Sequence, residues 1–245
     1  MFQVALAASM VLISSGRQPE VHDDLVPCTG VFSWVEAPKP YYLAVRKALI
    51  GEHAYRKCQI VAIPSFHREW GVYLLRDERA TDPTPTVVLK RLKASLWHEM
   101  SRELSENSID RSISTRDEEQ AAAIRRLSVE VDQFTVPVSE ETADLLESVW
   151  EGMLDRVRYP QEKRSGNDGT TYYVAHFRPG SYRSGETWSP EEGTRTAALV
   201  QIGNAMAALA EAAPPERHAR EGDVVAAALS LKERLEGLRN DPRER

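Results

Sequence analysis

The 245-residue chain holds two cysteines, 13 glycines and 14 prolines, and aromatic residues make up 7% of it. Two cysteines without a Cys-x-x-Cys spacing supply neither a four-thiolate zinc site nor a dithiol redox motif. There is no glycine-rich phosphate loop, no Gly-x-Ser-x-Gly elbow and no His-Glu-x-x-His pair. The local signatures of P-loop, serine-hydrolase and zinc-protease chemistry are therefore missing. Positive charge is not in excess: 31 Lys+Arg stand against 37 Asp+Glu, a net charge of -6. Such a balance gives no overall attraction to phosphate backbones or anionic lipid, and nucleic acid is not an expected partner. The one sustained apolar run, Val4 to Ile13, is too short to span a bilayer, so no integral membrane segment is expected in the mature chain. No internal repeat or low-complexity tract interrupts the sequence.

What is present is ample core material, with 42% hydrophobic and 28% charged residues, enough for one main domain. Residues 1–16 read as a secretory signal: an apolar run, then Ser14 and Gly16 placed for a cleavage site, although no Lys or Arg precedes the run. The competing reading is a strand or helix of the core. Export would place Cys28 and Cys58 in an oxidising compartment, where a disulfide closing a loop of about 30 residues is worth about 3 kcal/mol. The alternative is two separate buried thiols.

The rest divides into an α+β domain, 17–213, and a linker with a C-terminal amphipathic helix, 214–245. Gly30 to Val35 reads as a short strand, Tyr41 to Tyr55 as an amphipathic helix, and Cys58 to Ile63, Glu69 to Arg76 and Thr86 to Lys93 as a strand meander. Ala94 to Leu104 has helical spacing. Ser105 to Gln120 is the most polar stretch and reads as a solvated loop. After a strand ending at Val138, Ser139 caps a helix with Glu140 and Glu141 in its first turn and a stripe from Leu145 to Val157 facing the core. Another helix starts near Thr194 and runs to about Ala213. Beyond a charged linker at Glu216 to Gly222, the terminal helix places Val224, Ala228, Leu231 and Leu235 on one face, suited to packing back on the domain. The fold class expected is α+β: an antiparallel sheet of about five to seven strands with three or four helices on one face or at its ends.

Chemistry is densest in the hairpin His176 to Trp188. A two-residue loop at Pro179-Gly180 puts Arg178 opposite Ser181, Phe177 opposite Tyr182, His176 opposite Arg183 and Tyr173 opposite Glu186. Alternation then sends Tyr172, His176, Arg178 and Arg183 to one face and Tyr173, Phe177, Tyr182, Glu186 and Trp188 to the other. Two guanidiniums and an imidazole are the donors that hold a carboxylate, a phosphate or an acidic partner surface. Glu186 among aromatics has the surroundings of a general acid. Trp188 is the candidate ligand platform. His98-Glu99 has no second histidine one turn on and reads as a solvated helix edge. The six histidines, His22, His53, His67, His98, His176 and His218, show no metal-ligand spacing.

The sequence thus points to a non-enzymatic, exported envelope module that binds a protein partner, of inhibitor or immunity type, in the periplasm or outside the cell. Arg178, Arg183, Tyr182 and Trp188 are its binding residues, and no cofactor or metal is called for. The first rival is a metal-independent hydrolase or phosphoryl-type enzyme with Glu186 and His176 as acid and base. The second is a small-molecule binding domain.

Overall fold

Side chains alternate along the central strands, and that alternation decides where the helices go. In the computed structural model, which describes residues 23–33, 38–51, 56–76, 84–107, 116–159, 166 and 168–239, seven strands form one antiparallel sheet among the described residues: β1 (Val26–Pro27), β2 (Lys57–Pro64), β3 (Trp70–Leu75), β4 (Thr86–Leu92), β5 (Val131–Pro137), β6 (Thr170–Arg178) and β7 (Ser181–Trp188). Their order across the sheet is β1-β7-β6-β2-β3-β4-β5. Ile60, Val72, Leu74, Val87, Leu89 and Val174 point to one face, and Val61, Tyr73, Val88, Tyr173 and Ala175 to the other. Both faces are apolar, so both must be covered. Helices α1 (Pro40–Leu49), α2 (Leu96–Asn107) and α3 (Arg116–Arg126) cover the second; α4 (Glu140–Leu154), α5 (Arg195–Glu211) and α6 (Arg217–Arg239) cover the first. The α+β class and the antiparallel sheet are as expected, but six helices among the described residues, not three or four, cover both faces of the sheet and not one, because both faces are apolar.

The helix ends follow from local chemistry. Ser139 Oγ accepts from the Thr142 amide at 3.1 Å at the start of α4, and Thr194 Oγ1 accepts from the Ala197 amide at 3.1 Å at the start of α5. α2 borrows its cap from the residue just before β3. Glu69, fully buried, accepts from the Leu96 and Trp97 amides at 3.1 Å each and from Tyr41 Oη–H at 2.7 Å. One carboxylate thereby ties α1 and β3 to the positive end of α2.

Three local expectations are corrected. Gly30 to Ser33 form a turn, closed by the Ser33 amide on the Gly30 carbonyl at 3.1 Å, while Val26–Pro27 pairs with β7 instead. The polar stretch 105–120 ends α2 and begins α3; its middle, 108–115, lies outside the described residues. Its charge is compatible with helix because acids open α3 and Arg125 and Arg126 close it. The charged linker is helical from Arg217, held where Glu221 accepts from the Ser139 amide at 2.9 Å and Thr142 Oγ1–H at 2.8 Å. Val224, Ala228, Leu231 and Leu235 of α6 are buried against the domain, as their spacing implied. No helix among the described residues is long and apolar enough to cross a membrane. Residues 1–16, read as a signal, lie outside the described residues.

Candidate functional site

The hairpin has the register read from the sequence: Arg178 faces Ser181, His176 faces Arg183 and Tyr173 faces Glu186. Gly180 takes φ +80, which glycine adopts without strain. The basic face is not an unpaired patch, because the acidic edge of α4 lies alongside it, while both guanidiniums stay more than half exposed. Arg178 pairs with Glu151, and Arg183 pairs with Asp155. These acids and Glu147 recur every four residues, on the same side of α4.

His176 is buried between them, 4% exposed. A bulge in β2 puts Cys58 at φ +48 and turns its amide toward the imidazole, so that it donates to Nδ1 at 3.2 Å. The neutral ring therefore carries its proton on Nε2. Nε2 has no hydrogen-bond partner, and Glu151 Oε1 stands 3.5 Å away. Burial pulls the imidazole down to about 4, Glu147 opposes this, and Arg178 and Lys57 add to it.

One ligand atom from each of Glu147, Glu151 and His176 lies within 4.8 Å of the others, the donor set of a divalent transition metal. The surroundings do not suit one. A metal on Nε2 would have to expel its proton while Nδ1 still accepts from Cys58, whereas a metal-bound histidine normally donates through its second nitrogen. Both carboxylates already face cations: Glu147 meets Lys57 at 3.0 Å and Arg76 at 3.1 Å, and Glu151 meets Arg178. Nor is Cys58 a nucleophile. Its sulfur is 3.9 Å from Nδ1, but the residue is fully buried, and burial pushes the thiol well up.

Glu186 lies on the opposite face. Its carboxylate accepts from the Thr29 amide at 2.8 Å and from Thr29 Oγ1–H at 3.0 Å, fastening the segment after β1 to β7. The sheet separates it from His176, so the two cannot act as acid and base on one substrate. Tyr182 packs edge-on to Phe32 at 6.4 Å, and burial raises its phenol. Trp188 is half-buried under Gly166 and Gly169, where added Cβ atoms would come within 2.5 Å and 3.0 Å of its ring; the backbone occupies the face a ligand would need. The Cys28–Cys58 disulfide is not formed. Both thiols are free and buried, in core clusters on opposite faces of the sheet, which prevents their approach.

A different site lies at the other end of the strands. The end of β2, the starts of β3 and β6 and the turn from β4 into α2 enclose a cleft of about 630 Å³. Arg68, Arg91 and Lys93 line it with His67 and His98, and none of its lining residues is acidic. Arg91 is steadied by Glu211 at 2.6 Å and Lys93 by Glu130 at 2.9 Å, while Arg68 has no carboxylate partner among the described residues. Phe66, Trp70 and Tyr172 supply aromatic surface. The sequence reading missed this cleft because its residues come from three distant segments, 64–70, 91–98 and 170–172, each of which looks like the solvated end of a strand or helix, with Asn204 added from the middle of α5. The one local signal was Phe66-His67-Arg68, an aromatic beside two basic residues between strands.

In comparison with known proteins, no family model, no curated protein and no solved structure matches the chain.

Proposed function

We propose that the protein binds a small anionic ligand in the cleft beside Arg68, Arg91 and Lys93. The observation that carries this reading is the charge of the lining: three full cations, two histidines and no carboxylate, in a chain whose net charge is -6. A concave wall of one sign raises the local concentration of oppositely charged ligand, and the volume is in the range of small-molecule sites. Guanidiniums offer paired donors to phosphate or carboxylate oxygens. Calorimetric titration with pyrophosphate tests it. Binding is expected at low salt and weakens as salt rises; Arg68→Gln costs about ten- to a hundredfold, the size of one charge-assisted hydrogen bond. No binding, or binding indifferent to Arg68→Gln, would overturn the reading.

A second reading keeps the exported, partner-binding module of the envelope. It is favoured by β5, the outermost strand at one end of the sheet, where Phe134 is 37% exposed and Val129, just before the strand, 39%. An outer strand with apolar side chains is a template for a partner's strand. The intact mass of the protein from fractionated cells tests export: cleavage near Gly16 is expected, and an uncut cytosolic chain would overturn it.

A further inference from the structure

We propose that the anionic ligand of the cleft also carries a planar ring, which is the chemistry of a nucleotide; this rests on the cleft being an anion site. The argument starts from Phe66, which is 65% exposed although its segment is firmly held. The Ser65 amide and Ser65 Oγ–H both donate to the Gly169 carbonyl, at 2.9 and 3.0 Å. The backbone is thus fixed to the start of β6 while the next side chain projects a phenyl ring into water at the rim of the cleft. An exposed ring gains nothing from burial as it stands. It gains when another flat apolar surface covers it, and a nucleobase does this with little regard to its identity.

The floor has the same character. On β2, Ala62 has Trp70 of β3 as one cross-strand neighbour and Tyr172 of β6 as the other, and Trp70 in turn pairs with Arg91 of β4. Cross-strand partners share a face, so a single row reads tyrosine, alanine, tryptophan, arginine across the sheet. The small alanine keeps the two large rings apart, and Arg91 follows the tryptophan, with Asp132 of β5 as its next cross-strand neighbour outside the cleft lining. Arg68 and Lys93 stand side by side at the rim, where the Arg68 guanidinium donates to the Lys93 carbonyl at 3.4 Å. Aromatic surface and cations are therefore interleaved within one cleft, which suits a ring on Phe66 with its phosphates directed to Arg68, Arg91 and Lys93. Pyrophosphate fills only half of such a site, and a nucleoside the other half.

The test is calorimetric titration of the full chain with ADP, GDP, CDP and UDP, and with pyrophosphate and adenosine as partial ligands. The best of the four nucleotides is expected to bind at least tenfold more tightly than either partial ligand. Phe66→Ala, at a position too exposed to threaten the fold, is expected to bring that nucleotide down to the level of pyrophosphate and to leave pyrophosphate unchanged. If every nucleotide binds no better than pyrophosphate, and Phe66→Ala changes nothing, the cleft is an anion site without a ring subsite and this inference is overturned while the proposed function stands. If neither the nucleotides nor pyrophosphate bind, both fall together.

Discussion

A histidine that the fold keeps neutral must weaken that fold in acid. His176 is faced by the Cys58 amide and Lys57 from β2, by Glu147 and Glu151 from α4, and by Arg178 on its own strand. Burial is the largest influence and holds the ring at about 4, against an ordinary value of 6.5. Between those values the unfolded chain binds a proton that the folded chain refuses. Stability from this group is complete above about pH 6.5 and is lost as the pH falls toward 4, because protonation then favours the unfolded state. A displacement of that size is worth about 3 kcal/mol in all, of which about 2.5 kcal/mol is gone by about pH 4.5. Urea unfolding followed by tryptophan fluorescence at pH 7.5 and 4.5 measures the loss. His176→Asn keeps a polar acceptor and cannot titrate, so it removes this contribution while leaving the surface carboxylates, which also protonate in acid, common to both proteins. The wild-type protein is expected to lose about 2–3 kcal/mol more than the variant over that interval. Equal losses, or a His176 titration midpoint near 6.5 by NMR, would refute the reasoning.

Other perturbations read other parts of the account. Glu69→Ala removes the shared cap of α2 and strands the Tyr41 hydroxyl and two amides; urea unfolding should show a loss of about 2–4 kcal/mol, and a loss below about 0.5 kcal/mol would contradict its role. Gly30→Ala would force a Cβ to 2.4 Å from the Tyr173 ring and should cost about 1–3 kcal/mol, whereas Gly222→Ala, with nothing within 4 Å inside α6, should stabilise by about 0.5–1 kcal/mol. Both thiols should resist a thiol reagent at pH 8 in the native protein and react once it is unfolded, since burial pushes Cys28 up to about 12 and Cys58 well up; rapid native labelling of either would contradict their placement.

The hairpin register was legible because alternation and a Pro-Gly turn fix it from a few residues: His176 opposite Arg183 and Tyr173 opposite Glu186 follow from the turn position alone. So was the start of α4, where a serine, two acids and an apolar stripe agree. What covers each face was not legible, since that depends on which helix returns to which side of the sheet. Glu147, Glu151 and Asp155 repeat at helical spacing, a signal present in the sequence, yet only the topology brings them beside Arg178 and Arg183 and turns a basic patch into a row of half-exposed ion pairs. The same holds for Cys28 and Cys58. Their spacing permits a disulfide, and only the faces to which they point forbid it. The cleft was the least legible feature, because it exists only where the ends of three strands and the turn before α2 meet.

The central claim is that this cleft is where ligand binds. It is met most directly by following backbone amide shifts of the labelled protein during titration with pyrophosphate. Saturable shifts are expected at Ser65 to Arg68, at Lys93 to His98 and at Thr170 to Tyr172, with Arg178 and Arg183 unmoved because α4 already holds them. Shifts confined to the His176 end of the sheet, or no saturable shift, would contradict the account.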